Sequence, residues 1–166
     1  MPETPTRYHQ GKSVEWYTPP EIFEALGLSF DLDPASPAGG LPWVPATRHY
    51  CRADDGLSQQ WQGRVWLNPP YGLGISRWMG KLAKHGDGLA LVFARTDMPW
   101  FQRAMSEATA ACFIKGRLRF IPGEGVHRPR LASAPSVLLA YGLPCTLALA
   151  ESGLGRMCVT PQGKLA

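Results

Sequence analysis

The sequence predicts an α/β fold with three layers and a mostly parallel sheet, because apolar segments of strand length alternate with amphipathic segments of helix length. Strands are predicted over residues 28–33, 48–51, 65–68, 88–94 and 136–141. Helices are predicted over residues 75–84 and 97–110, where apolar side chains recur with the spacing of one helical face.

A further helix is predicted to begin at Thr18 and to end near Gly27. Threonine is a favoured N-terminal cap, proline follows in the first turn, and Glu21 lies where the helix dipole favours an acidic side chain. We expect the polar residues 1–14 to form a flexible segment. Residues 15–166 are expected to form a single domain, since 45% of the chain is hydrophobic and no linker or repeat interrupts it.

Composition excludes several classes of function. The apolar segments are too short to cross a bilayer, so no membrane partner is expected, and no secretion signal is visible in residues 1–11. The cysteines stand singly and fit neither a zinc site nor a disulfide framework, which predicts no bound metal and a reducing, cytoplasmic location. They are Cys51, Cys112, Cys145 and Cys158.

The net charge of +4 is concentrated in residues 111–130. This stretch holds five of the seventeen basic residues and one of the thirteen acidic residues, so the remaining twelve of each sign cancel. A concentrated basic surface attracts phosphate groups, whereas a solvated loop in a mildly basic protein is the simpler alternative. The five basic residues are Lys115, Arg117, Arg119, Arg128 and Arg130.

The segment Asn68-Pro69-Pro70-Tyr71 follows directly on an apolar strand. Proline fixes φ and restricts the residue before it, so the chain leaves the strand in one rigid conformation. The Asn68 side-chain oxygen and the Pro69 carbonyl can both accept hydrogen bonds from an exocyclic NH₂ group, which leaves its nitrogen lone pair facing a methyl donor. Tyr71 can stack on the ring that carries the amine. These four residues are therefore predicted to catalyse methyl transfer to a planar amine.

Asp33 and Asn68 both lie at the carboxyl ends of predicted strands. In a parallel α/β sheet, ligands bind beyond these ends, at the point where the strand order reverses. We therefore expect Asp33 and Asn68 to converge on one crevice although they are far apart in sequence.

Several motifs occur in a fixed order along the chain: Trp-Tyr-Thr-Pro-Pro at 16–20, Phe-Asp-Leu-Asp-Pro-Ala at 30–35, Asp-Asp-Gly-Leu at 54–57 with Trp61, Trp-Leu-Asn-Pro-Pro-Tyr-Gly at 66–72, Arg-Thr-Asp at 95–97 with Trp-Phe at 100–101, and Ile-Lys-Gly-Arg-Leu-Arg-Phe at 114–120. This order resembles the phage-type DNA N-6-adenine methyltransferases, the small Dam-like enzymes of phages and prophages. The resemblance covers most of residues 15–142. It implies methylation of the N-6 amino group of adenine in DNA, with the base turned out of the helix.

The resemblance also implies a Rossmann-like fold that binds S-adenosylmethionine, so that residues 15–166 form one methyltransferase catalytic domain. Thr18 and Pro19 match the family's Thr-Pro element near the methionine part of the donor. An Asp-Pro element ends the first strand of related enzymes, and the acid before the catalytic strand faces the donor's adenine amine. These roles fall on Asp33, Pro34 and Asp55, with Asp54 as the alternative to Asp55.

The chain departs from the family pattern after Pro34, where residues 35–40 (Ala-Ser-Pro-Ala-Gly-Gly) replace the usual glycine-rich turn. By the resemblance, the five basic residues of 111–130 are expected to contact DNA. If the protein is phage-encoded, the expected location is the cytoplasm of the bacterial host. Two other functions stay open. One is methylation of a glutamine side-chain amide in a protein, which is also planar and shares Asn-Pro-Pro-Tyr. The other is a DNA-binding module that has lost catalysis.

Overall fold

A computed structural model describes residues 15–123 and 128–160 of the chain. The predicted flexible segment 1–14 lies outside these ranges. The helices are α1 (Pro20–Leu26), α2 (Ile75–His85), α3 (Pro99–Glu107) and α4 (Leu143–Glu151). The strands are β1 (Trp16–Tyr17), β2 (Phe30–Asp33), β3 (Ala46–His49), β4 (Val65–Leu67), β5 (Gly88–Phe93), β6 (Ala110–Ile114), β7 (Arg119–Pro122), β8 (Arg130–Leu131), β9 (Ser136–Tyr141) and β10 (Gly155–Val159).

The main sheet has seven strands in the order β10-β6-β9-β5-β4-β2-β3. Strands β3, β2, β4 and β5 are parallel to one another. Strand β9 is antiparallel to both β5 and β6, and β10 is antiparallel to β6. The predicted α/β class is confirmed, and the sheet is mixed with a parallel core. Strand β9 is buried along its whole length and is largely apolar, and such a run carries no information on strand direction.

Helices cover both faces of the sheet, which gives the three predicted layers. On one face, α1 and α4 pack through Phe23 and Leu149 against side chains such as Leu89 and Leu91 of β5. On the other face, α2 and α3 pack against the alternate residues of the same strand, such as Val92. Successive residues of a strand point to opposite faces, so β5 contributes to both cores.

The first helix has its N-cap one residue later than predicted. Pro19 occupies the cap position of α1 with extended backbone angles, Pro20 is the first helical residue, and Gly27 ends the helix with φ of +59°. Thr18 makes no capping bond to the helix. Its side chain is buried instead, which leaves it available to the cavity described below.

A second, three-stranded sheet in the order β1-β7-β8 was not predicted. Its strands are short: Trp16 and Tyr17 of β1 pair with Pro122 and Ile121 of β7. Two-residue strands carry no periodic signal, and only pairing across a long stretch of sequence defines them. In residues 15–123 and 128–160, no helix is long and apolar enough to cross a membrane.

Candidate active site

A cavity of about 800 Å³ opens beyond the carboxyl ends of β2 and β4. The chain runs from β2 out to β3 and returns to β4 on the other side of β2, so the strand order reverses between β2 and β4. Asp33 ends β2, Asn68 follows β4, and both line the cavity as predicted. The wall includes nine of the residues singled out from the sequence: Thr18, Asp33, Pro34, Asp55, Asn68, Pro69, Pro70, Tyr71 and Arg130.

Asn68 is held by the second sheet. Its Nδ2 atom donates a hydrogen bond of 2.9 Å to the backbone carbonyl of Trp16 in β1. Because Nδ2 makes this bond, the orientation of the amide group is fixed. Its Oδ1 atom remains as an acceptor on the cavity wall. This contact links residues that are 52 positions apart in sequence.

Tyr71 is fixed against the end of β5 at both its hydroxyl and its ring. The hydroxyl accepts a hydrogen bond of 2.6 Å from the Phe93 backbone N–H, and the two rings stack with centroids 4.7 Å apart. Burial of the hydroxyl raises the pKa of Tyr71 above its usual range. Phe120 of β7 meets Phe93 edge-on at 6.2 Å. We call Asn68, Tyr71, Phe93 and Phe120 the aromatic side of the cavity.

Asp33 is a buried carboxylate with few partners. It is 5% exposed, and its Oδ1 atom accepts one hydrogen bond of 3.2 Å from the Ala35 N–H. The ion pairs within the described ranges join Arg64 to Asp87 and Arg103 to Glu107, so none involves Asp33. Desolvation by burial raises the pKa of Asp33 to about 7, and the bond from Ala35 opposes this only in part.

Thr18 presents a buried polar atom that has no hydrogen-bond partner among the described residues. Its side chain is 2% exposed, and its Oγ1 atom has no hydrogen-bond partner in the described part of the chain. Its carbonyl accepts a bond of 2.9 Å from the Trp43 indole N–H, which places it beside the loop that follows β2. A buried hydroxyl without a partner is costly, so this atom marks a place where a polar ligand group would be stabilised.

Asp55 completes what we call the acidic side of the cavity, together with Thr18 and Asp33. Its φ of +50° is the one positive value that a non-glycine residue adopts within the described ranges. The adjacent Gly56 approaches Pro34 so closely that a Cβ atom would lie 2.0 Å from the Pro34 carbonyl oxygen. The loop is therefore packed directly on the Asp-Pro turn.

Side chains of Lys81 in α2 and of Trp61 before β4 hold this loop in place. Lys81 donates to the carbonyl of Leu57 at 2.6 Å, and the Trp61 indole donates to the carbonyl of Gly56 at 2.8 Å. The Lys81 ammonium also lies 4.8 Å from the centroid of the Trp61 ring. These contacts fix the position of Asp55 relative to the sheet.

Two predicted residues of the acidic side do not line the cavity. Pro19 is buried at the start of α1. Asp54 is exposed, and its carboxylate accepts a bond of 2.8 Å from the Cys51 N–H, which lowers the pKa of Asp54. Of the two acids between which the sequence left a choice, the structure brings Asp55 to the cavity.

The predicted basic residues lie on and around the second sheet. Arg130 in β8 reaches the cavity wall, and its partner in the ladder is Phe120. Lys115, Arg119 and Arg128 are exposed away from the wall. Arg117 is also exposed, but its guanidinium donates to the carbonyl of Ala132 at 3.0 Å, so it helps to attach β7 to the segment after β8.

Sequence reasoning assigned no role to three residues of the cavity wall. Trp16 lies in a two-residue strand, Phe93 read as an ordinary buried strand residue, and Arg52 had no motif around it. All three line the cavity. A signal for Phe93 existed, because it lies at the carboxyl end of a strand next to the motif strand, where ligands bind in such sheets.

A cavity at the reversal of strand order, bordered by Asn-Pro-Pro-Tyr, fits the methyl transfer to a planar amine that the sequence predicts. A family model described as DNA N-6-adenine-methyltransferase (Dam) matches residues 6–142. This chain belongs to that family, and the resemblance seen in the sequence is confirmed. No curated protein and no solved structure gave a significant match.

Proposed function

We propose that this protein transfers a methyl group from S-adenosylmethionine to the N-6 amino group of adenine in DNA. In this proposal, residues 15–166 form one catalytic domain of Rossmann-like type. The target adenine leaves the helix and enters the aromatic side of the cavity, while the donor occupies the acidic side. The observation that supports this most is the bond from Asn68 Nδ2 to the Trp16 carbonyl, since it leaves an oriented acceptor oxygen on the cavity wall.

The acidic side fits a donor that carries positive charge and hydrogen-bonding groups. Asp33 is buried without a cation, and a cationic ligand would stabilise its ionised form. Thr18 Oγ1 is buried without a partner among residues 15–123 and 128–160, and a polar ligand atom would satisfy it. Asp55 lies on the same wall and offers a further acceptor to an amino group. When bound, S-adenosylmethionine supplies an electrophilic methyl group.

On the aromatic side, the chain itself positions the acceptor. Asn68 Oδ1 and the Pro69 carbonyl accept one hydrogen bond each from the exocyclic amine, which draws both N–H groups to one side. The nitrogen lone pair is then directed at the donor, so catalysis consists of positioning and electrostatic stabilisation. Tyr71 stacks on the base, and because Phe93 fixes its ring and hydroxyl, little side-chain entropy is lost on binding.

A product analysis tests this function directly. The protein is incubated with labelled S-adenosylmethionine and DNA from a methylation-deficient host. The DNA is digested to nucleosides, and mass spectrometry identifies the methylated species. We expect N-6-methyladenine, with the Asn68→Ala variant as the inactive control, and sequencing of the product maps the methylated adenines. Methylated glutamine in a protein substrate, or donor binding without methylated DNA, would overturn the proposal.

A further inference from the structure

The turn between the Asn-Pro-Pro-Tyr motif and helix α2 carries an unusual side chain. Leu73 has a relative exposure of 105%, so it touches almost nothing in the folded chain. Single exposed leucines are common, and exposure alone means little. Leu73, however, lies two residues from Tyr71 and between Gly72 and Gly74, in the loop that borders the cavity.

Both ends of this turn are anchored. At one end, Tyr71 is bound to the Phe93 N–H at 2.6 Å. At the other end, Ile75 is 5% exposed in the core, and its N–H donates to the Gly72 carbonyl at 3.2 Å. Gly72 has φ of +133°, a backbone conformation that a residue with a side chain rarely adopts. The turn therefore presents Leu73 from a fixed base.

The surroundings of the turn carry positive charge. Residues 68–86 contain no aspartate or glutamate. Arg77 lies in the first turn of α2 and is exposed, as is Arg95 after β5. The Arg95 guanidinium lies 5.8 Å from the centroid of the Phe93 ring, on which Tyr71 stacks. An apolar tip flanked by cations is complementary to a base stack flanked by phosphates.

We propose that Leu73 is a wedge that enters the base stack of duplex DNA where the target adenine leaves it. This inference rests on the proposed function, since it requires a flipped base. Extruding a base opens a gap in the stack, and proteins that unstack DNA insert apolar side chains between base steps. The wedge occupies that gap while Tyr71 receives the base, so one short loop would serve both events.

The proposal makes the effect of Leu73 depend on whether the target base is paired. The test uses two duplexes that share the adenine mapped in the product analysis. In one duplex this adenine is opposite thymine, and in the other it is opposite an abasic site, so that pairing no longer opposes extrusion. Methylation rates at subsaturating DNA are measured for wild type, Leu73→Ala and Leu73→Phe. Leu147→Ala is the matched control, because Leu147 is 53% exposed on α4, away from the cavity.

We expect Leu73→Ala to methylate the paired target roughly tenfold more slowly than wild type, because loss of an apolar contact of leucine size has about that effect. On the abasic duplex its rate should lie within about twofold of wild type. Leu73→Phe should retain most activity on both duplexes, and Leu147→Ala should match wild type. Equal rates for Leu73→Ala and wild type on the paired target, or equal losses on both duplexes, would overturn the wedge. If wild type methylates neither duplex, the proposed function itself fails.

Discussion

The two sides of the cavity differ in how well their polar groups are satisfied. On the aromatic side, Asn68 and Tyr71 each have a backbone partner, at 2.9 and 2.6 Å. On the acidic side, Thr18 Oγ1 has no partner within the described ranges and Asp33 has only the Ala35 N–H. The aromatic side is therefore organised before any ligand arrives, whereas the acidic side is completed by its ligand. Binding and catalysis should accordingly respond to different substitutions.

The largest difference between the effect on turnover and the effect on donor binding is expected for Asn68→Ala. Removing a positioned group that acts in the transition state lowers turnover by roughly 100-fold or more. Affinity for S-adenosylmethionine should stay within about twofold by calorimetry, because Asn68 belongs to the aromatic side. Asn68→Asp keeps acceptor oxygens but cannot donate to the Trp16 carbonyl. Its turnover should therefore lie between that of wild type and that of Asn68→Ala. Near-normal turnover of Asn68→Ala would remove Asn68 from the reaction.

Asp33→Asn is expected to show the opposite pattern. The variant loses a charge-assisted hydrogen bond worth about 1.5–3 kcal/mol, so donor affinity should fall by roughly ten- to a hundredfold. In wild type, donor affinity should rise with pH through about 7 as Asp33 ionises. The ligand's own titration affects both proteins, so the difference between their pH profiles isolates Asp33. Calorimetric titrations from pH 6 to 8 that give parallel profiles would exclude Asp33 from the donor site.

The same substitution should stabilise the free protein at neutral pH. Asp33 has a pKa of 3.8 in the unfolded chain and about 7 in the folded one, so the folded state binds more protons between these values. Its contribution to stability is complete below pH 3.8 and is lost as the pH rises to about 7. The Asp33→Asn side chain does not ionise, so the variant does not undergo this loss of stability. At neutral pH its free energy of unfolding should exceed that of wild type by a few kcal/mol, at about 1.4 kcal/mol per pH unit.

Urea unfolding at pH 5, 7 and 8 without ligand measures this advantage. The difference in the free energy of unfolding should widen between pH 5 and 7 and stay constant above pH 7. A difference that does not change with pH would mean that Asp33 is already ionised in the folded protein at pH 5. The contrast between the two sides would then lose its electrostatic basis.

Much of the main sheet and one residue from each side of the cavity follow from local patterns in the sequence. Val65–Leu67 and Gly88–Phe93 are strands as predicted, because uninterrupted apolar residues form buried strands. Asp33 and Asn68 meet because parallel strands bring their carboxyl ends to one edge. The antiparallel direction of β9 was not predicted. A strand that is buried on both faces has the same apolar pattern whether its neighbours are parallel or antiparallel to it.

The contacts that orient the site depend on pairings between distant segments. The bond from Asn68 to Trp16 exists because β1 pairs with β7, and neither strand is long enough to show a period. The burial of Thr18 Oγ1 without a partner in the described part of the chain is equally hidden, because the Thr-Pro-Pro pattern favours a helix cap and tertiary burial overrides it. Local patterns thus predict which residues reach the site, and tertiary pairing determines how each one is held.

The smallest effect is expected for Arg128→Ala combined with Arg130→Ala. This double variant tests whether the surroundings of the cavity act separately from its two sides. Both arginines are exposed, Arg130 lies on the cavity wall, and each phosphate contact adds about 0.9 to the slope of log affinity against log salt concentration. The double variant should flatten that slope by roughly one to two units and weaken binding by a few-fold for every DNA sequence.

Arg103→Ala combined with Arg156→Ala removes the same charge from α3 and β10, so it controls for net charge. Fluorescence anisotropy at several salt concentrations measures both variants, and donor affinity should be unchanged in each. An equal loss of slope in the control would mean that DNA responds to the overall charge, and that the second sheet holds Asn68 without contacting phosphate.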